Sequence, residues 1–87
     1  MPAVKDVIVY TADPCRRCLT AKALLEARGI AFQELNLTKD PDGRAELVRR
    51  TGLMTFPQIV IDGEPLGGLD DLQAAERDGR LGALLAA

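Results

Sequence analysis

The stretch Ala12-Asp13-Pro14-Cys15-Arg16-Arg17-Cys18 holds the only two cysteines of an 87-residue chain. They stand three apart, where an apolar run gives way to a helical pattern. A cysteine in the first turn of a helix meets the positive end of the helix dipole and unpaired backbone N–H groups. Both favour thiolate over thiol, and the thiolate is the nucleophile. The second cysteine, one turn on, shares a face with the first. Such a pair can open a foreign disulfide and then close on itself, so the pattern points to thiol–disulfide exchange.

Outward from this stretch the elements follow in order. Upstream, Val4 to Tyr10 contains the β-branched run Val7-Ile8-Val9-Tyr10, apolar on successive residues, the pattern of a strand buried on both faces. Asp13 reads as a helix N-cap and Pro14 as the first helical residue. The helix is expected from about Cys15 to Arg28, with Cys18, Leu19, Ala21 and Leu25 on its apolar side and Gly29 beyond its end. Residues 30–37 alternate as a second strand. Asp40-Pro41 repeats the helix-start signal, and a second helix runs to about Thr51, closed by Gly52. Thr55-Phe56-Pro57 turns into a third strand, Gln58 to Ile61. Asp62-Gly63 is a hairpin signal, followed by a short antiparallel strand through Leu66. Leu69 to about Asp78 is a third helix, and Arg80 to Leu85 adds a last turn or two.

The order β-α-β-α-β-β-α predicts an α/β domain spanning residues 1–87. Its first two strands are parallel with a right-handed crossover, its last two form a hairpin, and helices cover both faces of a four-stranded mixed sheet. Composition narrows the function. The net charge is −2 with signs mixed, and aromatics are 3%. Neither a basic nucleic-acid or membrane footprint nor a base-stacking platform is indicated. With no histidine, Cys–His catalysis is excluded, and two cysteines cannot make an all-thiolate zinc site, so no metal is expected. No leader pattern opens the chain and no run reaches transmembrane length, which makes the cytoplasm the expected compartment.

Cys15, at the helix start, is expected to attack, and Cys18, nearer the core, to resolve. The bland readings are a chance pair of buried cysteines or a metal half-site in a dimer. The strand-to-helix context favours the redox reading. Arg16 and Arg17 read as solvated charges by frequency, but their position between the cysteines favours the thiolate, against the opposing carboxylate of Asp13.

Tyr10-Thr11, Cys15-x-x-Cys18, Ala21-Lys22-Ala23-Leu24-Leu25, Thr55-Phe56-Pro57-Gln58-Ile59 and Gly67-Gly68-Leu69-Asp70-Asp71-Leu72 occur in the order and spacing of glutaredoxins. The chain resembles that family over nearly its whole length. The resemblance implies the thioredoxin fold, with a cis proline at Pro57 facing the cysteines. It implies glutathione as co-substrate, bound as a mixed disulfide on Cys15. The tripeptide would pair with the backbone at Thr55-Phe56, its γ-glutamyl end at Gly68-Leu69-Asp70 and its glycyl carboxylate toward Arg44. Arg16-Arg17 stands where the family usually carries Pro-Tyr, Ala12 where it carries a lysine, and Leu53-Met54 where a basic residue often precedes the Thr-x-Pro. Arg17 is a candidate to replace one of those contacts.

The favoured function is therefore glutathione-dependent reduction of protein disulfides or glutathionylated proteins by a monomer, with a flavin-dependent reductase upstream. The alternatives are a glutaredoxin-like electron donor recharged by thioredoxin reductase, an iron–sulfur carrier bridged by glutathione, and an interaction domain without turnover.

Overall fold

The computed structural model describes residues 6–85. Its elements are β1 (Val7–Thr11), α1 (Arg16–Ala27), β2 (Gln33–Asn36), α2 (Pro41–Thr51), β3 (Gln58–Ile61), β4 (Glu64–Gly67), α3 (Leu69–Arg77) and α4 (Arg80–Leu85). The sheet order is β2-β1-β3-β4. β1 pairs parallel with β2 and antiparallel with β3, and β3 pairs antiparallel with β4. This is the mixed four-stranded sheet that the element order predicts. The expectation that the first strand begins at Val4 lies outside the described residues.

Alternation along the central strands splits the core in two, because successive side chains leave a strand on opposite faces. Val7, Val9, Ile59 and Ile61 pack with Ala21 and Leu25 of α1, Leu69, Leu72 and Ala75 of α3, and Leu81 of α4. Tyr10 and Val60 face the other way, onto Leu47 of α2 and onto Leu37. Helices thus cover both faces. Leu19, expected on the apolar side of α1, instead stands 62% exposed.

Several boundaries differ from the sequence reading, among them the end of β1, at Thr11 rather than Tyr10, and the end of β2, at Asn36 rather than Leu37. Helix α1 begins at Arg16 and is capped by Cys15, not by Asp13; its N-cap acceptor is the Cys15 sulfur. The Asp13–Pro14 peptide is cis, and Pro14 is outside the helix. Asp13 is instead drawn into the loop below β2: its carboxylate accepts from Asn36 Nδ2 at 2.8 Å and its N–H donates to Thr38 Oγ1 at 2.7 Å. Strand β2 starts at Gln33 rather than Ile30, because the residues before it are used to end α1. Gly29 takes φ +67°, its N–H donates to Glu26 O, and the Ile30 N–H donates to Leu25 O at 2.9 Å, the two bonds of a Schellman cap. Strand β4 extends one residue further than expected, to Gly67.

The other signals form as read. Asp40 caps α2 by accepting from the Gly43 N–H at 2.9 Å, with Pro41 at the first helical position. Asp62 and Gly63 both take positive φ, 52° and 84°, as a two-residue type I′ hairpin requires.

The edge strand β2 is tied to α1 and β1 through Glu34. Thr11 Oγ1 donates to it at 2.7 Å and Lys22 Nζ at 3.0 Å. The Thr11 hydrogen bond first, then the Lys22 hydrogen bond, hold the Glu34 carboxyl below its ordinary value of 4.5; burial opposes them, and the Lys22 charge adds to them. A carboxyl lowered in the folded state stabilises the fold above its unfolded value, and that stabilisation is lost as pH falls through the folded value. Wild type is therefore expected to exceed Glu34→Gln in stability by a constant margin above about pH 5.5, a margin that shrinks steadily in more acidic buffer. Urea unfolding across that range checks it; a margin independent of pH would show that Glu34 does not carry the linkage.

Candidate active site

Three segments meet at one end of the sheet: the start of α1, the Thr55-Phe56-Pro57 turn and the start of α3. Cys15 and Cys18 are joined as a disulfide with Cα atoms 5.3 Å apart. Cys15 is half-buried, while Cys18 is 2% exposed and packs toward the core. The Cys18 N–H donates to Cys15 Sγ at 3.0 Å. That bond directs an otherwise unpaired helix N–H at the sulfur, and it would serve a thiolate better than a disulfide sulfur, since the acceptor then carries charge.

Cys15 Sγ also lies 3.9 Å from the Phe56 carbonyl oxygen. The Phe56–Pro57 peptide is cis, and Pro57 is fully buried. A side chain at Gly68 would stand 3.5 Å from the Pro57 carbonyl, so the start of α3 lies directly against this turn. The Gly68 N–H is held by Asp71 Oδ2 at 3.0 Å, which secures that helix end.

Sequence reasoning missed one supporting residue. Gln58 is 2% exposed, and its Nε2 donates to the carbonyls of Leu53 and Thr55, each at 3.0 Å. It pins the loop that carries Phe56 and Pro57. The signal was present as a lone amide opening the apolar run Gln58-Ile59-Val60-Ile61, since a buried amide needs partners.

The remaining candidates have partners that the sequence does not show. Arg17 Nη2 pairs with Asp70 Oδ1 at 2.9 Å, bridging the starts of α1 and α3, with both side chains exposed. Leu69 is 5% exposed, so its side chain belongs to the core and only its backbone is placed for contact. Arg44 Nη1 donates to Leu37 O at 2.5 Å and Thr38 O at 2.9 Å, yet Arg44 still lines one cavity with Phe56. Among the described residues no group of three or more cysteine, aspartate or glutamate side chains is placed to hold a metal ion, and no helix is long and apolar enough to cross a membrane.

Pairing with Asp70 reduces what Arg17 can do for the Cys15 thiolate, because opposite charges close together cancel much of each other's field. Two unit charges about 6 Å apart interact by roughly 0.7 kcal/mol in a water-like dielectric. Replacing Arg16 and Arg17 by Gln is thus expected to raise the midpoint of Cys15 alkylation by at most about one pH unit. Asp70→Asn, which releases Arg17, is expected to lower it. The measurement is iodoacetamide alkylation against pH in a Cys18→Ser background at two salt concentrations. Coincident midpoints at low salt would make the arginines solvated surface charges.

A vicinal cysteine pair at a helix start, beside a cis-proline turn on a mixed four-stranded sheet, defines a thiol–disulfide oxidoreductase of the thioredoxin fold. The family model described as glutaredoxin matches residues 7–66. A glutaredoxin of Pseudomonas aeruginosa is 48% identical over 81 residues, covering 93% of this chain and 96% of the relative. Glutaredoxin 3 of Escherichia coli K12 is 44% identical over 80 residues, covering 92% and 96%. Among solved structures, a glutaredoxin of Brucella melitensis superposes with a TM-score of 0.84 at 46% identity, covering 95% of this chain and 90% of that one. A buckwheat glutaredoxin–glutathione complex superposes with a TM-score of 0.85 at 31% identity, covering 93% and 76%. The chain belongs to the glutaredoxin family.

Proposed function

We propose that this oxidoreductase uses glutathione as its co-substrate, reducing protein disulfides and glutathionylated proteins in a reducing cytoplasm. The observation that carries the reading is the position of Cys15 Sγ, between the Cys18 N–H at 3.0 Å and the Phe56 carbonyl at 3.9 Å. A substrate sulfur bonded to Cys15 brings its own backbone alongside Phe56, where it can add as a strand. From there the γ-glutamyl end reaches the start of α3, at Gly68, Leu69 and Asp70. Its α-carboxylate meets the helix N-terminus and its α-ammonium meets Asp70. The Arg17–Asp70 pair must share or yield Asp70; an exposed pair of this kind is worth roughly 0.2–1 kcal/mol, little enough to exchange. The glycyl end runs past Thr55 toward Arg44, whose Nη1 is engaged but whose guanidinium carries five N–H donors in all.

The chemistry is two successive exchanges. The Cys15 thiolate attacks one sulfur of the substrate disulfide, forming a mixed disulfide and expelling the other sulfur as a thiolate, which takes a proton from solvent. Then either Cys18 attacks Cys15 Sγ and expels the bound thiol, closing the Cys15–Cys18 disulfide, or, where the bound group is glutathione, a second glutathione thiolate attacks that glutathione's sulfur and expels the Cys15 thiolate, leaving as glutathione disulfide. The oxidised Cys15–Cys18 pair is reduced by two glutathione molecules, which leave as glutathione disulfide for a flavin-dependent reductase. The protein acts as a monomer in this scheme.

The test is one disulfide substrate with two recycling systems, glutathione with glutathione reductase against thioredoxin reductase alone. Turnover with the first and not the second is expected. Turnover only with thioredoxin reductase would replace this reading with that of an electron donor independent of glutathione.

A further inference from the structure

Beside the reactive centre is a largely apolar recess. A cavity of about 170 Å³ opens between α2 and the loop before Pro57, walled by Ala45, Val48, Leu53, Met54 and Phe56, with Arg44 at its edge. Sites for whole small ligands run to roughly 300–1,000 Å³, so this one has room for a single side chain. Two of its walls are large apolar residues left in water, Leu53 at 44% and Met54 at 80% exposed. Isolated exposed apolar residues are ordinary; here they adjoin each other at a cavity. That cavity shares Phe56 with the reactive centre, whose carbonyl lies 3.9 Å from Cys15 Sγ.

We propose that this recess is a subsite for protein substrates, taking a large aliphatic side chain from the residue that follows the substrate's cysteine. Covalent attachment decides the occupant. Any polypeptide bonded to Cys15 must pass Phe56. In the chain direction proposed above for glutathione, on which this inference rests, the residue after the cysteine runs toward Arg44 and hence over the recess. In glutathione that residue is glycine, which has no side chain to place there. The recess therefore separates protein substrates by sequence while leaving glutathione indifferent to it.

The experiment uses short neutral peptides with one cysteine, each as a mixed disulfide with thionitrobenzoate. Glycine, leucine or aspartate follows the cysteine, and a fourth peptide has leucine before it. The Cys15 thiolate of the reduced protein attacks the peptide sulfur, thionitrobenzoate leaves as a coloured thiolate that reports this first step, and Cys18 later displaces the peptide. Rates are divided by those of the same peptides with free cysteine. No glutathione is present, so failure of glutathione to recycle the protein would leave this result untouched.

Partial burial of one leucine in an open recess is expected to favour the leucine-after peptide over the glycine peptide by about five- to tenfold, or about 1–1.4 kcal/mol. The leucine-before and aspartate peptides should match glycine. Met54→Ser removes a wall and Ala45→Phe fills the space, both at exposed positions. Each should bring the preference within about twofold of unity, a change of roughly 1 kcal/mol, and leave the glycine peptide unchanged. The proposal is overturned by no preference in the wild type, by a preference for leucine before the cysteine or for aspartate, or by a preference that survives both substitutions.

Discussion

Cys15→Ser is expected to reduce disulfide turnover to the uncatalysed rate, while Cys18→Ser keeps turnover of a glutathione mixed disulfide. The two sulfurs are three residues apart but differently placed. Cys15 is half-buried, caps α1 and receives the Cys18 N–H at 3.0 Å. Cys18 is 2% exposed and reaches nothing outside the protein except through Cys15. A serine hydroxyl at position 15 remains protonated and cannot form the mixed disulfide, so no later step starts. Without Cys18 the mixed disulfide still forms, and free glutathione can attack it in place of the buried thiol. Reduction of a protein disulfide should suffer more than deglutathionylation in Cys18→Ser, because the intramolecular resolving step is then lost. Steady-state assays on both substrates distinguish the roles. Loss of all activity on the glutathionylated substrate in Cys18→Ser would contradict the assignment.

The second large effect is expected at Gly67 and not at its neighbour. Gly67 has φ +125°, where an L side chain is strained, and a Cβ there would stand 2.6 Å from Asp71 Cγ and 3.0 Å from its Cβ. Moving Asp71 aside breaks its bond to the Gly68 N–H, the bond that secures the start of α3. Backbone strain of about 1–3 kcal/mol and a lost cap of about 0.5–2 kcal/mol give roughly 2–4 kcal/mol for Gly67→Ala. In a domain of this size that lowers Tm by about 10–30 °C. Gly68→Ala should cost under about 1 kcal/mol, near the low end for a changed cap, since its Cβ would meet only the Pro57 carbonyl at 3.5 Å, an ordinary contact. Thermal melts of the two variants compare them directly. A Gly67→Ala melt within about 2 °C of wild type would mean that the turn absorbs the side chain at a cost below about 0.5 kcal/mol.

The same dipeptide shows where local reading succeeds and where it stops. Asp40-Pro41 and Asp13-Pro14 carry one helix-start signal. At the first site Asp40 caps α2 as read. At the second the Asp13 carboxylate is taken by Asn36, 23 residues away, and the cap falls to the Cys15 sulfur. Nothing within a few residues of Asp13 distinguishes the two cases. The difference lies in what the parallel pairing of β1 and β2 brings alongside.

Local chemistry and periodicity determined most of the architecture. The Gln58–Ile61 and Arg80–Leu85 bounds, the Asp62-Gly63 hairpin and the glycine closures at Gly29 and Gly52 all follow from neighbouring residues. Cys15 and Cys18 were legible for the same reason, since their spacing and their place at a helix start are local facts. The longer-range partners of the charged and polar side chains were decided by tertiary structure. Arg17 pairs with Asp70 across 53 residues, Arg44 turns onto the Leu37 and Thr38 carbonyls, and Gln58 holds the loop before Pro57. A helix or turn forms from interactions spanning about four residues. An ion pair such as Arg17–Asp70, or a recess beside the sulfur, forms only where packed elements bring distant segments within a few ångströms.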